Sequence, residues 1–573
     1  MYTAPINEMQ FLLNEVLLKD NEISEIVPTL LEAANKLARE ELEPINNNGD
    51  EHGTSINQDG NVKAPLGFKE AYQKYIDGYW GSLQFDSKYG GQELPFVVAI
   101  STQEMWHAAN MSWGLCPLLT QGAIEAIEYG ANEELKSAYL PNLISGKWTG
   151  TMNLTEPDAG SDLGALKTKA LPKNDHYLIK GQKIFVTWGE HDMTENIVHL
   201  VLARLPNAPE GVKGISLFLV PKILIDSDGN LTEKNDCRAI SVEKKIGIHG
   251  SPTCVISYGE KSGAIGYLIG KENKGLECMF EMMNNARLAV GLQGVSIADY
   301  SYQKALSYCN DRVQGIAPGY NETGPIIRHP DVKRMIRLMQ VLTDGARSLT
   351  YYACAELDPK EKQLSNENNE IHKRRVALLT PLVKAWCTEV AQEVVSLCIQ
   401  CHGGAGFIEE TGAGQLFRDA RILPIYEGTN GIQSMDLVFR KLLGDDGLAI
   451  KELTKEMLMI DEEATTTFLS AKQTQSFIQA VDELMIISGS MLNNRKNKSL
   501  LAGIAFDFLM MTSIIAANWR LIESATYASK DSIKSKYSQE FLGDRLSSAG
   551  KFIDNVLPRY QMHRSVILNQ LDN

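Results

Sequence analysis

Along most of this chain apolar positions recur every three to four residues, and in one stretch they do not. Over residues 8–148 the pattern is helical: Ile26, Leu30, Leu31 and Ala34 share one face, as do Ile124, Ile127 and Tyr129 further on. The polar stretch 46–61 interrupts that pattern and predicts a long loop. From residue 149 to about 267 the period changes. Short β-rich runs at 176–179, 183–187, 197–203, 215–220 and 254–258 are punctuated by Gly, Asn, Asp and Pro, the rhythm of an antiparallel sheet domain. Helical periodicity returns at about residue 275, over 279–308, 330–357, 370–400 and 433–443, with a polar loop predicted at 358–369. Beyond residue 444 every pattern is helical: 452–469, 474–492, 500–528 and 540–557.

The expected fold is therefore α+β, in four parts: a helical N-terminal domain (1–148), a middle antiparallel β domain (149–275), a C-terminal four-helix bundle (276–443) and an extra C-terminal helical block (444–573). Helices on both sides of a β insertion make a cleft, where ligands commonly bind.

Composition narrows the function. A chain of 573 residues, 44% hydrophobic and 22% charged, is long enough for several cores. Its 71 acidic against 56 basic residues give a formal net charge of −15. An acidic body does not attract phosphate backbones over its surface, so nucleic-acid binding is not expected. No uninterrupted apolar run reaches the roughly 20 residues that span a bilayer, so no integral membrane segment is expected. The opening residues carry Glu8 and Glu15 and no basic residue before Lys19, unlike a signal or transit peptide. Nine cysteines, sparse and in apolar surroundings, suit reduced thiols in the cytoplasm. Cys398, Cys401 and His402 spell C-x-x-C-H, the haem-attachment pattern, but they continue an amphipathic helix into a Gly-rich turn and are read as core. The ten histidines are scattered without metal-ligand spacing, so no metal is expected.

Two segments carry chemistry. One is Met152-Asn153-Leu154-Thr155-Glu156-Pro157-Asp158-Ala159-Gly160-Ser161-Asp162; the other is Arg421-Ile422-Leu423-Pro424-Ile425-Tyr426-Glu427-Gly428-Thr429-Asn430-Gly431-Ile432-Gln433. With Lys183-Ile184-Phe185-Val186-Thr187, the run from Gln400 to Phe407, and Arg287, they resemble the signatures of the acyl-CoA dehydrogenase family, in family order and over residues 66–443. The length, the Tyr89-Gly90-Gly91-Gln92 turn, the Gly250-Ser251-Pro252-Thr253-Cys254 segment and the C-terminal block are similar to the larger bacterial subgroup that includes 3-methylmercaptopropionyl-CoA dehydrogenases.

The resemblance implies an FAD-dependent removal of an α proton by a carboxylate and of a β hydride by flavin N5, giving a trans-2-enoyl-CoA. Glu427 matches the catalytic base, and Gly428 the residue whose backbone approaches the thioester. An α proton is weakly acidic, so a positioned base and donors to the enolate-like oxygen are both needed. Met152, Leu154, Thr155, Phe185 and Thr187 match flavin contacts. Arg312, Gln314, His329, Gln400, Gly404, Thr429 and Gly431 match contacts to the rest of FAD, partly across a subunit interface, which implies a homodimer. Phe185 stands where the family more often has Trp, and Met152 where it often has Tyr. Ser161, Asn284 and Arg287 match contacts to the CoA ester, Arg287 at its adenine end. The C-terminal block is expected to cap the face where a second dimer would dock. An electron-transfer flavoprotein is the implied acceptor. An acyl-CoA oxidase reducing O₂, or a silent acyl-CoA-binding flavoprotein, are the alternatives.

Overall fold

The structure is a computed structural model that describes residues 1–18, 21–357 and 366–571. It is α+β, with a β domain between helical parts, and it groups into two compact units. One comprises residues 36–94 and 109–286; the other comprises 1–35, 95–108 and 287–573.

The first unit is built on an eight-stranded sheet: β1 (Trp148–Asn153), β2 (Lys169–Lys173), β3 (His176–Thr187), β4 (Asn196–Arg204), β5 (Ile215–Pro221), β6 (Cys237–Val242), β7 (Thr253–Tyr258) and β8 (Ala264–Ile269). The spatial order is β6-β7-β3-β8-β5-β4-β1, with β2 pairing β3 and touching β4. The two runs expected at 176–179 and 183–187 form the single strand β3, which Gly181 carries through in extended backbone. The sheet is antiparallel save at its edge: β1 runs parallel to β4, from Trp148 opposite Asn196 to Asn153 opposite Val201, and β2 meets β4 in parallel at one residue pair. Every residue of β1 is buried, and a strand buried on both faces shows no alternation from which its direction could be read.

One sheet face packs on the helices Met111–Gly130 and Glu133–Ile144 through Ala123, Ile127, Leu140, Leu200 and Leu217; the other holds Ile179, Val201, Phe218 and Ile256. Gly150 on β1 lets the first of these helices close in, since a Cβ there would stand 2.3 Å from that of Ala123. The stretch 46–61 is not one loop. It forms the helix Asn46–His52 and then the strand Ser55–Ile56, which pairs with Val62–Lys63. Buried Gly49, against Phe68, explains how so polar a segment is held.

The second unit is helical. Its bundle consists of Gly275–Asp311 (from Arg287 onward), Pro330–Ala355, Asn366–His402, and Asn430–Asp436 continued by a wider turn to Leu442. The loop expected at 358–369 lies outside the described residues as far as 365, and the helix has begun by Asn366. The C-terminal block packs on this bundle within the same unit. Its helices are Leu448–Met457, Glu462–Thr465, Ala471–Asn493, Lys498–Ala528, Asp531–Lys534, Gln539–Asn555 and Arg559–Leu571. The last of the long ones escaped the sequence reading because its apolar residues, among them the run Val566-Ile567-Leu568, do not fall into one stripe. Ser470 and Gln473 form a capping box at the head of Ala471–Asn493.

Lys498–Ala528 is, among the described residues, the one helix long and apolar enough to cross a membrane by length and composition; Asn518 and Arg520 break its longest apolar run, and it is mostly buried within this unit. Trp519 meets Tyr352 edge-on at 5.2 Å, and the Arg520 guanidinium lies 3.9 Å from the centre of the same Tyr352 ring.

Candidate active site

The Pro424–Asn430 turn of the helical unit presents Glu427. Its ends are drawn together where the Asn430 N–H donates to the Pro424 carbonyl at 3.0 Å. Thr429 then caps the following helix, its hydroxyl accepting from the Ile432 N–H at 3.2 Å. Within the turn Glu427 has φ +52° and Gly428 φ +85°. A left-handed glutamate is uncommon and costs energy, so the turn holds its carboxylate in a backbone state that it would not choose alone. Buried Gln433 reaches back, its amide nitrogen 3.4 Å from the Glu427 carbonyl and 3.5 Å from that of Gly428. A Cβ on Gly428 would stand 2.7 Å from that nitrogen and 3.8 Å from Arg287 Nη2.

Burial pushes the Glu427 carboxyl above its ordinary range, against the downward pull of Arg287 and then Lys384. A carboxyl so placed is a weaker acid, and its carboxylate a stronger base, than an exposed one. Arg287 is itself buried, its pKa lowered by desolvation while Asp436 and Glu427 favour its charge. The structure thus places Arg287 beside the Glu427 turn rather than on a solvated helix face. Tyr426, behind the turn, hydrogen-bonds the fully buried Gln293 through its hydroxyl.

Most of the remaining predicted residues of this unit lie in two largely exposed segments. Arg312 and Gln314 follow the helix Gly275–Asp311. The Arg312 carbonyl accepts from Ile326 at 2.8 Å, and the Gln314 carbonyl lies 3.0 Å from His329 Nε2, so Gln314 and His329 are held together. Gln400, Gly403 and Gly404 end the helix Asn366–His402. Gly404 is exposed, and a Cβ there would meet nothing within 4 Å, so packing does not demand a glycine. Gly431, in the first turn of Asn430–Asp436, is likewise exposed. His402 stacks on Tyr308 at 4.4 Å and its Nδ1 lies 2.8 Å from the Cys398 carbonyl, while Cys398 and Cys401 are buried.

In the β unit, Leu154 and Thr155 follow β1, and Phe185 and Thr187 end β3. The Ile184 N–H donates to the Thr155 carbonyl at 2.9 Å, and the Thr151 hydroxyl to the Thr187 carbonyl at 2.7 Å, which brings these segments to one rim of the sheet. Lys183 fastens the rim from below. Its side chain is fully buried and donates to the Leu154 carbonyl at 2.9 Å and to Glu156 at 2.8 Å. Burial drops its pKa to about 8, with Glu156 opposing. Phe185 has φ +57° and is 59% exposed. An aromatic ring turned to solvent by a strained backbone, beside two half-exposed threonines, fits a planar heteroaromatic ligand such as an isoalloxazine. Met152 is buried, which takes it out of that surface. Ser161 lies in the exposed turn after Glu156, and Asn284 is half-buried on its helix, three residues before Arg287. The polar groups packed around the Glu427 turn that sequence reasoning left without a role are Lys384, Asn430 and Gln433. A single lysine inside the apolar run Leu382-Val383-Lys384-Ala385-Trp386 was the available signal.

Models of the acyl-CoA dehydrogenase N-terminal, middle and C-terminal domains match residues 27–147, 151–259 and 273–443. The chain belongs to the acyl-CoA dehydrogenase family, a family of oxidoreductases. Among its relatives, 3-methylmercaptopropionyl-CoA dehydrogenase of Ruegeria pomeroyi is 41% identical, over 100% of this chain and 99% of that one. A butyryl-CoA dehydrogenase of Syntrophomonas wolfei is 32% identical over 93% of this chain and 89% of its own. In fold, the chain is similar to the crystal structure of a Bacillus anthracis acyl-CoA dehydrogenase complexed with FAD, with TM-score 0.77 and 21% identity, covering 100% of this chain and 93% of that one.

Proposed function

We propose that this protein dehydrogenates a short acyl-CoA thioester, 3-methylmercaptopropionyl-CoA first among them, to the trans-2-enoyl-CoA. The observation that carries this reading is the Glu427 carboxyl, held in a left-handed turn with its pKa raised by burial beside Arg287 and Lys384. Glu427 takes the α proton, and the raised pKa makes its carboxylate a stronger base for that step. Arg287 and Lys384 keep the ionised form accessible. Gly428, lacking a side chain, leaves the turn open for a thioester to approach. The cofactor is FAD, which when bound supplies the acceptor for the β hydride. Thr155, Phe185 and Thr187 would hold its ring system, and Arg312, Gln314, His329, Gln400 and Gly404 the remainder. The substrate follows from the full-length likeness to 3-methylmercaptopropionyl-CoA dehydrogenase.

The working form is a cytoplasmic homodimer that passes electrons to an electron-transfer flavoprotein. Phe407 at 90% exposure, with Ile408 half-exposed beside it, supports a partner subunit on that face. Among the described residues no disulfide joins any cysteines, which supports a reducing compartment. Light scattering that gives a tetramer would remove the dimer.

Anaerobic mixing with 3-methylmercaptopropionyl-CoA and with butyryl-CoA tests the function. The wild type is expected to bleach its flavin with the thioether substrate, while Glu427→Gln binds the same ligand and does not bleach. Bleaching of Glu427→Gln at the wild-type rate overturns the assignment of the base.

A further inference from the structure

Lys384 has no exposed surface, and its ammonium donates to Asn430 Oδ1 at 2.9 Å. Among the described residues no carboxylate lies within ion-pair distance of it. A buried cation that meets a neutral amide instead of a carboxylate loses more solvation than one hydrogen bond returns. Its pKa falls accordingly, to about 7, and the largest charge opposing that fall is the Glu427 carboxylate, ahead of Glu389. Glu389 is already engaged: Asn430 Nδ2 donates to it at 2.8 Å and to the Thr388 hydroxyl at 3.0 Å, which fixes the amide with its oxygen towards Lys384. Asn430 is also the residue whose backbone N–H closes the Pro424–Asn430 turn. One amide therefore ties the buried ammonium to the loop that displays Glu427.

We propose that Lys384 is a positioning residue for the base: through Asn430 it anchors the Glu427 turn, and its ammonium supplies part of the positive charge that keeps the Glu427 carboxylate ionised. This rests on the reading of Glu427 as the base. The other charged groups around the turn are Arg287 on Gly275–Asp311, Glu389 on Asn366–His402, and Asp436 with Arg440, which pair with each other at 3.2 Å. Arg287 acts in the same direction as Lys384 on Glu427. Lys384 differs in being joined to the turn's backbone by a hydrogen-bonded side chain.

The test is an infrared titration of the ¹³C-glutamate-labelled holoenzyme, following the protonated-carboxyl band that Glu427→Gln lacks. In Lys384→Met the midpoint is expected to rise by about one pH unit, and in Lys384→Arg to stay close to wild type. The acidic limb of flavin reduction by butyryl-CoA moves with it. Should Lys384→Met fail to fold, Lys384→Gln carries the same expectation. A merely structural lysine would lower thermal stability and leave the midpoint in place. A folded variant with the wild-type midpoint, or a Lys384→Arg that titrates like Lys384→Met, overturns the proposal. If the wild type reduces with neither 3-methylmercaptopropionyl-CoA nor butyryl-CoA, the functional reading fails, and the infrared midpoint still decides the role of Lys384.

Discussion

Arg545 of the C-terminal block donates through Nη2 to the carboxylate of Asp344 in the bundle at 2.9 Å, with both side chains buried. Its Nη1 donates to Glu8 at 2.8 Å, and Glu8 in turn pairs with Arg347 at 3.1 Å. The N-terminal helix Ile6–Phe11, the bundle and the added block therefore meet in one charged cluster, closed by Glu104, which accepts from Arg347 Nε at 2.8 Å and from the Tyr351 hydroxyl at 2.7 Å. Such clusters are weak sources of net stability, but removing one member strands the rest.

Arg545→Met is accordingly expected to destabilise the helical unit by about 3–5 kcal/mol, because buried Glu8 and Asp344 both lose their guanidinium partner. Urea denaturation followed by far-ultraviolet circular dichroism measures it. A midpoint unchanged from wild type would mean that the added block is not fastened here.

Much of this arrangement was legible beforehand, and the reasons differ by element. The long bundle helices follow their apolar period to within a few residues, as in 330–357 expected against Pro330–Ala355 found. The direction of β1 was not legible, because all of its residues are buried and pairing with β4 is a tertiary choice. Glu427 could be picked from its turn, whereas its raised pKa depends on Arg287 and Lys384, residues 140 and 43 positions away in sequence. The role of Lys183 was equally hidden, since a lysine in a strand reads as solvated until burial shows otherwise.

Lys183 holds the Leu154 carbonyl and Glu156, and Glu156 also accepts from the Lys167 and Thr168 backbone N–H groups at 2.6 and 3.1 Å. Lys183→Met breaks the centre of that network and frees the segment carrying Leu154 and Thr155. The variant is expected to lose FAD on gel filtration where the wild type keeps it, read as the ratio of absorbance at 450 to 280 nm, about tenfold lower by the worth of a stranded buried charge. Full retention of the yellow colour would show that the rim does not depend on this lysine.

Gly428→Ala tests the turn itself. At φ +85° an alanine is strained, and its Cβ would press on Gln433 Nε2 at 2.7 Å. Gln433 is the side chain that reaches the Glu427 carbonyl, so the push is transmitted to the base. Turnover is expected to fall about 100-fold, while stability changes by only about 1–2 kcal/mol. Equal losses in kcat/KM and in melting temperature, or none in either, would count against a turn tuned for position.

His199 gives the acid response of the β unit. It lies on β4, fully enclosed, edge-on to Tyr258 at 6.0 Å, and its Nδ1 meets no hydrogen-bond partner among the described residues. Burial, with a smaller push from Lys222, holds its pKa down at about 3. In the unfolded chain a histidine titrates near 6.5. Above that pH both states are neutral and the residue contributes nothing to the pH dependence. As pH falls below 6.5 the unfolded chain takes up a proton that the folded protein refuses, so stability is lost progressively down to the folded pKa. The loss is about 1.4 kcal/mol per pH unit, or about 2 kcal/mol by pH 5. His191, on the same unit and also held at about 3, acts in the same sense. Asp299 and Asp344, raised to about 6 in the helical unit, act oppositely, because the folded state binds their protons first. His199→Gln removes one proton-refusing site. Its stability relative to wild type is expected to improve by about 2 kcal/mol between pH 7.5 and pH 5, whatever the cost at pH 7.5. Urea midpoints of the two proteins at those two pH values measure it, and parallel pH curves would mean that His199 is protonated in the folded state.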